Sequence, residues 1–356
     1  MRWSAIALAV SAVLMAAPAR ADDDPGTVVR LVGSSTGPGP KTFVIDARIK
    51  PGDTTFESQV SGWITSLDPE GGYGELSGHC VETHCALGMR VGDASMEIVA
   101  DVGAGGASDG RYTYERQDDE KKLTGALRLT PLSGPLPNGL GPLAAPDAIT
   151  APALADLLMW NGAEAGFHYS DPKELPDASL RDRLGGWQAA HQRPSTGLIT
   201  DGDLQLLRSG AEETRKTLGW TPLGDKDGTW RTGYPAALLP KATTVGREQH
   251  YASNDGKAEL IVALDPPMSS DDFDALVDKE TADSETRSSV NYNRSGGDME
   301  LRYEEKGVVT VASWHNRDEG MARQVLRYPA DQNDTYVVVA DILPAVFAVR
   351  EDFKAP

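Results

Sequence analysis

Five residues able to act as metal or acid-base donors crowd into positions 79–85 of this chain: His79, Cys80, Glu82, His84 and Cys85. Imidazole nitrogen and thiolate sulfur at such short spacings are donors that a zinc-like ion accepts. Tetrahedral sites, however, draw paired ligands from separate segments, and the chain has only these two cysteines. No metal is therefore expected. In an oxidising compartment the pair is expected to close a disulfide, Cys80–Cys85. A loop so short removes little unfolded-state entropy, so the cross-link serves mainly to fix a local turn.

Other chemistry is harder to assemble. His79 directly before Cys80 has the order of the His-Cys pair of trypsin-like proteases, but the Gly-Asp-Ser-Gly nucleophile motif is missing and Gly106-Ala107-Ser108-Asp109-Gly110 lacks its arrangement. Carboxylates cluster in Asp118-Asp119-Glu120 and Asp271-Asp272-Phe273-Asp274, and two carboxylates across a cleft are what glycoside hydrolysis needs. A charge run is more simply a solvated face, and Asp271 and Asp272 at the start of a helix are favoured by its dipole. No catalytic residue and no cofactor is assigned, and a cell-wall hydrolase stays only as an alternative.

The amino terminus sets the compartment in which such groups would work. Arg2, an apolar run from Ala5 to Ala17 and the small-x-small triplet Ala19-Arg20-Ala21 form a signal peptide over residues 1–21, expected to be cleaved after Ala21. The run is shorter than the roughly 20 residues of a spanning helix, and Asp22, Asp23 and Asp24 follow it. No cysteine stands at the junction to take a lipid, and no later apolar stretch is long enough to span a bilayer. The expected location is the periplasm. The formal charge of -19 becomes -21 when Arg2 and Arg20 leave with the leader, which disfavours nucleic acid and anionic membrane surfaces and favours a neutral partner.

The chain is long enough for two or three domains, and 40% hydrophobic with 24% charged residues is a globular composition. Eight short β-like runs between Thr27 and Leu129, several of them alternating apolar and polar residues, predict an antiparallel β sandwich or barrel over residues 27–132. The stretch 133–147, with Pro135, Pro137, Gly139, Gly141 and Pro142, reads as a linker. Helical spacing follows in Ala151–Gly162, in a second helix capped by Asp177 or Ser179 with Leu180, Leu184, Trp187 and His191, and in a third from Asp201 toward Leu218. Beyond these, Trp220–Leu239 looks irregular. A strand at Ala258–Leu264, a helix from Ser269 or Ser270 to Glu280, a meander over Ser288–Leu326 and a final helix through Tyr336, Ala340, Leu343 and Phe347 predict an α+β domain over residues 230–356.

The segment Asp177–Leu207 resembles the second half of the peptidoglycan-binding-like module of wall-associated bacterial proteins. The shared features are Trp187-Gln188, Ala189, His191, Thr196-Gly197, Leu198-Ile199-Thr200, Asp201 and the leucines Leu204 and Leu207. Gly197 allows a tight turn, Thr200 or Asp201 can cap the next helix, and Leu198 or Ile199 can staple it to the apolar face of Trp187. The family's Asp-Gly turn is replaced here by Glu174-Leu175-Pro176-Asp177. The resemblance implies a small three-helix module over residues 148–220 that either binds the wall or spaces its neighbours. A sugar ring offers hydroxyls and a C–H face, and Gln188, His191, Gln192, Arg193 and Tyr169 are the groups expected to meet it, while Trp187 and Trp160 are expected in the core.

The part from Gly233 to Asp352 is similar to a small α+β domain of exported proteobacterial proteins, through Tyr234-Pro235, Leu238-Leu239-Pro240-Lys241, Ser253-Asn254-Asp255-Gly256 and Tyr328-Pro329. It brings no catalytic residues. Together the resemblances imply a non-catalytic periplasmic protein that binds peptidoglycan or a related cell-wall glycan. The alternative is an envelope scaffold with a protein partner, in which the helical module is a spacer.

Overall fold

A computed structural model describes residues 26–353, apart from 38–40, 53–56, 69–71, 92–93, 103–107, 117–118, 138–139, 146–147, 164–177 and 283–284. The expected signal peptide and Tyr169 lie outside the described residues. The chain is β-rich and divides into two compact units, one running to Thr150 and taking in Pro172–Asp201, the other formed by Ala151–Asp171 and Gly202–Pro356. Among the described residues no helix is long and apolar enough to cross a membrane.

The first unit is built on a closed antiparallel barrel of eight strands: β1 (Thr27–Thr36), β2 (Thr42–Pro51), β3 (Glu57–Ser66), β4 (Tyr73–Val81), β5 (His84–Val91), β6 (Ala94–Asp101), β7 (Ser108–Arg116) and β8 (Asp119–Pro131). Each strand pairs with the next, and β8 returns to β1 with Leu31 opposite Pro131 and Thr36 opposite Ala126. This decides between the two architectures left open by the sequence. Alternation puts Phe43, Ile45, Ile64, Leu76, Ile98 and Leu127 inside, all at most 3% exposed. Gly125 is required by this filling, because a Cβ there would lie 2.4 Å from the Tyr112 ring. The space left at one end, bounded by Leu31, Val60, Cys80, Cys85 and Leu87, is about 10 Å³. That is room for about one water, so this end of the barrel interior is filled by side chains.

The stretch 133–147, expected to be a linker, packs through some of its described residues. After the two-residue strands β9 (Pro135–Leu136) and β10 (Gly141–Pro142), the chain buries Leu136 and Ala144. Leu136 joins Val44, Leu67 and Leu198 in an apolar layer on the outside of the barrel. Proline and glycine stopped the regular periodicity there, but they did not stop burial.

Three helices follow: α1 (Ala151–Trp160), α2 (Ala178–Ala190) and α3 (Asp201–Leu218). Helix α2 belongs to the first unit, and α1 and the body of α3 belong to the second. In the second unit α1 and α3 bury Met159, Trp160 and Ala211 together with Ile342. The Trp160 ring meets Trp220 edge-on at 5.0 Å, and Arg215 lies over it at 4.4 Å.

The region expected to be irregular contains β11 (Trp220–Gly224) and β12 (Trp230–Pro235), which form a three-stranded sheet with the terminal β20 (Ala348–Val349). The main sheet has the order β13-β14-β15-β19-β18-β17-β16, from β13 (Lys241–Val245), β14 (Glu248–Ala252), β15 (Glu259–Asp265), β16 (Arg287–Ser295), β17 (Asp298–Glu305), β18 (Val308–Arg317) and β19 (Gly320–Pro329). Helix α4 (Ser270–Thr281) covers one face, setting Phe273 and Val277 on Met299, Leu301, Trp314 and Val325. Helix α5 (Asn333–Val346) covers the other, setting Tyr336, Val339 and Leu343 on Leu260, Val262 and Leu326. Pro344 lies in the last turn of α5. It has no N–H to give to the carbonyl one turn earlier, so this end is held by packing more than by the helix ladder.

Candidate functional site

Helix α2 carries most of the residues singled out by sequence. Leu180, Leu184 and Trp187 form its apolar face and are buried. Gln188 is buried too, at 2% exposure. Its side-chain nitrogen donates to the Leu198 carbonyl at 2.9 Å, and its oxygen accepts from the backbone N–H groups of Thr196 and Gly197, each at 3.0 Å. One amide thus satisfies three backbone groups of the returning chain. Gly197 adopts φ 64° in this turn, and a Cβ there would press to 3.1 Å from the Arg181 carbonyl oxygen. Gln188, expected at a contact edge, therefore has its hydrogen-bonding capacity spent inside the fold.

The end of α2 is different. Arg193 N–H donates to the Gln188 carbonyl at 2.8 Å and Gln192 N–H to Ala189 at 3.0 Å, with Gln192 in the left-handed region at φ 56°. This is a Schellman closure with glutamine where glycine is usual. His191 and Gln192 are exposed and Arg193 is half-buried. The His191 ring lies 4.5 Å from Trp187, and its Nδ1 is 2.8 Å from the Trp187 carbonyl oxygen. Of the expected edge, these three residues stand together at the helix end, and Gln188 stands beneath them.

A buried ion cluster fixes α2 to the outside of the barrel. Arg181, at 2% exposure, reaches Asp46 of β2 at 3.6 Å, and Arg30 of β1 holds the same carboxylate at 3.2 Å. The Arg181 guanidinium sits 4.8 Å over the Trp63 ring and donates to the Gly197 carbonyl at 3.5 Å. Burial pushes the Arg181 side chain down to about 10, although Asp46 opposes the fall. Tyr73 donates to Asp182, and burial followed by that carboxylate raises its phenol. Sequence periodicity gave no sign of this cluster, since Arg30, Asp46 and Trp63 look like the solvent side of their strands.

The disulfide Cys80–Cys85 is formed, joining directly opposed residues of β4 and β5 inside the barrel. His84 points outward and meets Asp101 at 3.1 Å, with both side chains largely exposed. Among the described residues no group of three or more His, Cys, Asp or Glu side chains is placed to hold a metal. The carboxylates Asp271 and Asp272 open α4, where Ser269 Oγ accepts from the Asp272 N–H at 3.1 Å as the helix cap.

The second unit contains a titratable cluster that sequence patterning does not reveal. His315 Nδ1 lies 2.8 Å from Asp298, and Arg317 donates to both oxygens of that carboxylate, at 2.6 and 3.3 Å. The His315 ring packs 4.8 Å from Phe347, and its Nε2 is buried with no hydrogen-bond partner among the described residues. Glu300, two residues along β17, is pushed up to about 8 by burial and then by Asp298. The only signal was polar alternation, Asp298-Met299-Glu300 and Ser313-Trp314-His315, which reads as a solvated face.

The chain matches no family model and no curated relative. Among solved structures it is similar to the solution structure of cyanobacterial PsbP (CyanoP) from Synechocystis sp. PCC 6803, at 15% identity over 36% of this chain and 92% of that chain, with a TM-score of 0.26. A likeness of this size carries no functional argument.

Proposed function

We propose that this is a non-catalytic protein exported to the bacterial cell envelope, in which the segment resembling a peptidoglycan-binding module acts structurally, as a brace on the barrel of an interaction scaffold. The observation that carries the reading is the use of Gln188: its amide is committed to Thr196, Gly197 and Leu198. Arg181 on the same helix is committed to Asp46 and Trp63. Residues spent in this way are not offered to a ligand. The acidic charge and the amino-terminal leader pattern fit an envelope location and a partner that is not a polyanion.

A second reading is supported by the helix end. His191 and Gln192 remain exposed, and with Arg193 they form a short polar edge suited to the hydroxyls of a peptidoglycan glycan. In that reading the segment keeps the family's wall-binding role through this edge alone.

Sedimentation of the full chain with purified sacculi separates the two. The structural reading expects the wild type to stay in the supernatant and Gln188→Ala to lower stability by about 2–3 kcal/mol, through three lost hydrogen bonds to buried backbone groups. The wall-binding reading expects retention that is lost in His191→Ala/Arg193→Ala at an unchanged melting temperature. Retention of that kind would overturn the first reading. Release of soluble muropeptides would overturn both in favour of a hydrolase.

A further inference from the structure

The main sheet of the second unit ends in two unlike edges. At one of them β16 carries devices that keep a strand from pairing with other chains: its register with β17 shifts between Ser288 and Asn291, and Arg287 and Arg294 stand along it. At the other, β13 pairs only with β14, and all five of its residues are exposed. Its register is unbroken, it contains no proline, and it has no charge from Ala242 to Val245. Val245, at 62%, is the most exposed large apolar side chain among the described residues. Threonine and valine favour extended backbone, so this edge is shaped for a second neighbour and lacks the guards of the first.

The turn fixes which backbone groups are free. Gly246 and Arg247 join β13 to β14, with Gly246 at φ 61° and Arg247 outside the left-handed region, the pattern of a type II′ hairpin. Across such a turn the Val245 carbonyl accepts from the Glu248 N–H, so Val245 and Glu248 form a hydrogen-bonded pair. Bonded and non-bonded pairs alternate along an antiparallel ladder. Thr243–His250 and Lys241–Ala252 are therefore bonded as well, and the N–H and C=O groups of Ala242 and Thr244 point away from β14.

We propose that β13 is a self-docking edge: two copies of the chain pair their β13 strands antiparallel about a two-fold axis at Thr243, joining their sheets into one. The strand fits its own copy. In this register Ala242 lies opposite the second copy's Thr244, and Thr244 opposite its Ala242, so the free groups of each strand meet the free groups of the other. Thr243 meets its own copy at the closer, non-bonded spacing, a pairing that suits hydroxyl side chains. The one charge of the strand, Lys241, falls opposite the second copy's Val245 and lies four residues, about 13 Å, from its own copy. Lys241, Val245 and Glu248 share one face of the sheet, so the ammonium can reach across the second copy's Val245 to that copy's Glu248. In a chain of formal charge -19 most self-contacts set carboxylates against each other, and this one sets a cation beside a carboxylate.

Crosslinking of the full chain tests the register. Cys80 and Cys85 are joined to each other and the sequence has no further cysteine, so Thr243→Cys supplies a single thiol. The central pair brings the two Cα atoms within disulfide range. Under a mild oxidant this variant is expected to form a covalent dimer on the order of tenfold faster than Ser209→Cys, whose thiol lies on the exposed face of α3. Adding Thr244→Pro removes a free N–H from each strand and leaves the pairs to β14 intact, and should slow the reaction to the rate of the Ser209 variant. Without oxidant, sedimentation of the wild type is expected to shift reversibly toward dimer between about 20 and 500 µM, as suits a contact this small. Thr244→Lys, which keeps every backbone donor but sets like charges near the axis, should stay monomeric. Equal crosslinking rates at 243 and 209, or a wild type that is monomeric at the higher concentration, would overturn the proposal. So would a dimer that survives both Thr244 substitutions, which would place self-association on another face.

Discussion

Arg181 and Asp46 are far apart along the chain but are joined at 3.6 Å on the outside of the barrel, with side chains 2% and 9% exposed. Removing one member of a buried pair leaves the other charge uncompensated. Asp46→Asn is expected to cost about 3 kcal/mol, because it strips the carboxylate from both Arg181 and Arg30. Urea unfolding would show it as a fall in midpoint at constant slope. Arg181→Met should cost clearly less, since it removes the buried charge and leaves the Arg30–Asp46 pair in place.

Gln192 closes α2 in a conformation that L-residues other than glycine adopt at a cost. Gln192→Gly should raise stability by up to about 1 kcal/mol, the gain being limited by glycine's greater freedom when unfolded. Differential scanning calorimetry checks it, and a fall in melting temperature would show that the glutamine side chain has a hold of its own.

His250 lies between Glu259 at 2.7 Å and Glu248 at 2.9 Å, and hydrogen bonding to these carboxylates, Glu259 foremost, raises it above the ordinary histidine value. A raised folded value means the folded state binds the proton more tightly. The stabilisation is therefore fully present below the unfolded histidine value of about 6.5 and is lost as pH rises through the folded one. His250→Gln is expected to destabilise the protein at pH 5.5 and to approach the wild type at pH 9. NMR titration of the imidazole in the wild type gives the folded value directly.

Glu300 obeys the same sign with a different result. Its folded value of about 8 lies above that of an unfolded glutamate, so the fold keeps a proton that the unfolded chain gives up, and stability declines as pH rises from the unfolded value to about 8. Glu300→Gln removes the penalty. The variant should match the wild type near pH 4 and exceed it increasingly up to pH 8. A tenfold difference in proton affinity is worth about 1.4 kcal/mol, and solvent screening at this half-buried site reduces the total, so a gain of roughly 1–3 kcal/mol is expected. Chemical denaturation at three pH values measures this, and a gain independent of pH would point to packing instead of titration.

The local part of this architecture was legible in the sequence. All eight barrel strands overlap the β-like runs between Thr27 and Leu129, and α4 begins at Ser269 and Ser270, where hydroxyl and carboxylate spacing marks a cap. What escaped depends on contacts between distant positions. Barrel closure rests on β1 meeting β8, which no local pattern records. Leu136 and Ala144 are buried although their segment has no period. The candidate edge was half legible, because exposure at a helix end can be inferred for His191 and Gln192. The burial of Gln188 cannot, since a polar side chain that serves three backbone groups has no hydrophobic signature. His315 alternates with its neighbours like a solvent-facing residue, and only the packing of its ring on Phe347 shows otherwise.

Barrel closure also dictates when the first unit can fold. The pairing of Leu31 with Pro131 joins the two ends of the barrel sequence, so the first strand has no final neighbour on one side until the eighth has arrived. Contacts of such separation slow folding, and an unpaired strand edge is a template for association with other chains. A chain delivered from its amino terminus would hold that edge open while the six intervening strands are delivered. The α2 brace follows all eight strands in the chain. The interval between the arrival of β1 and that of β8 is therefore the period in which this protein depends most on protection from its neighbours.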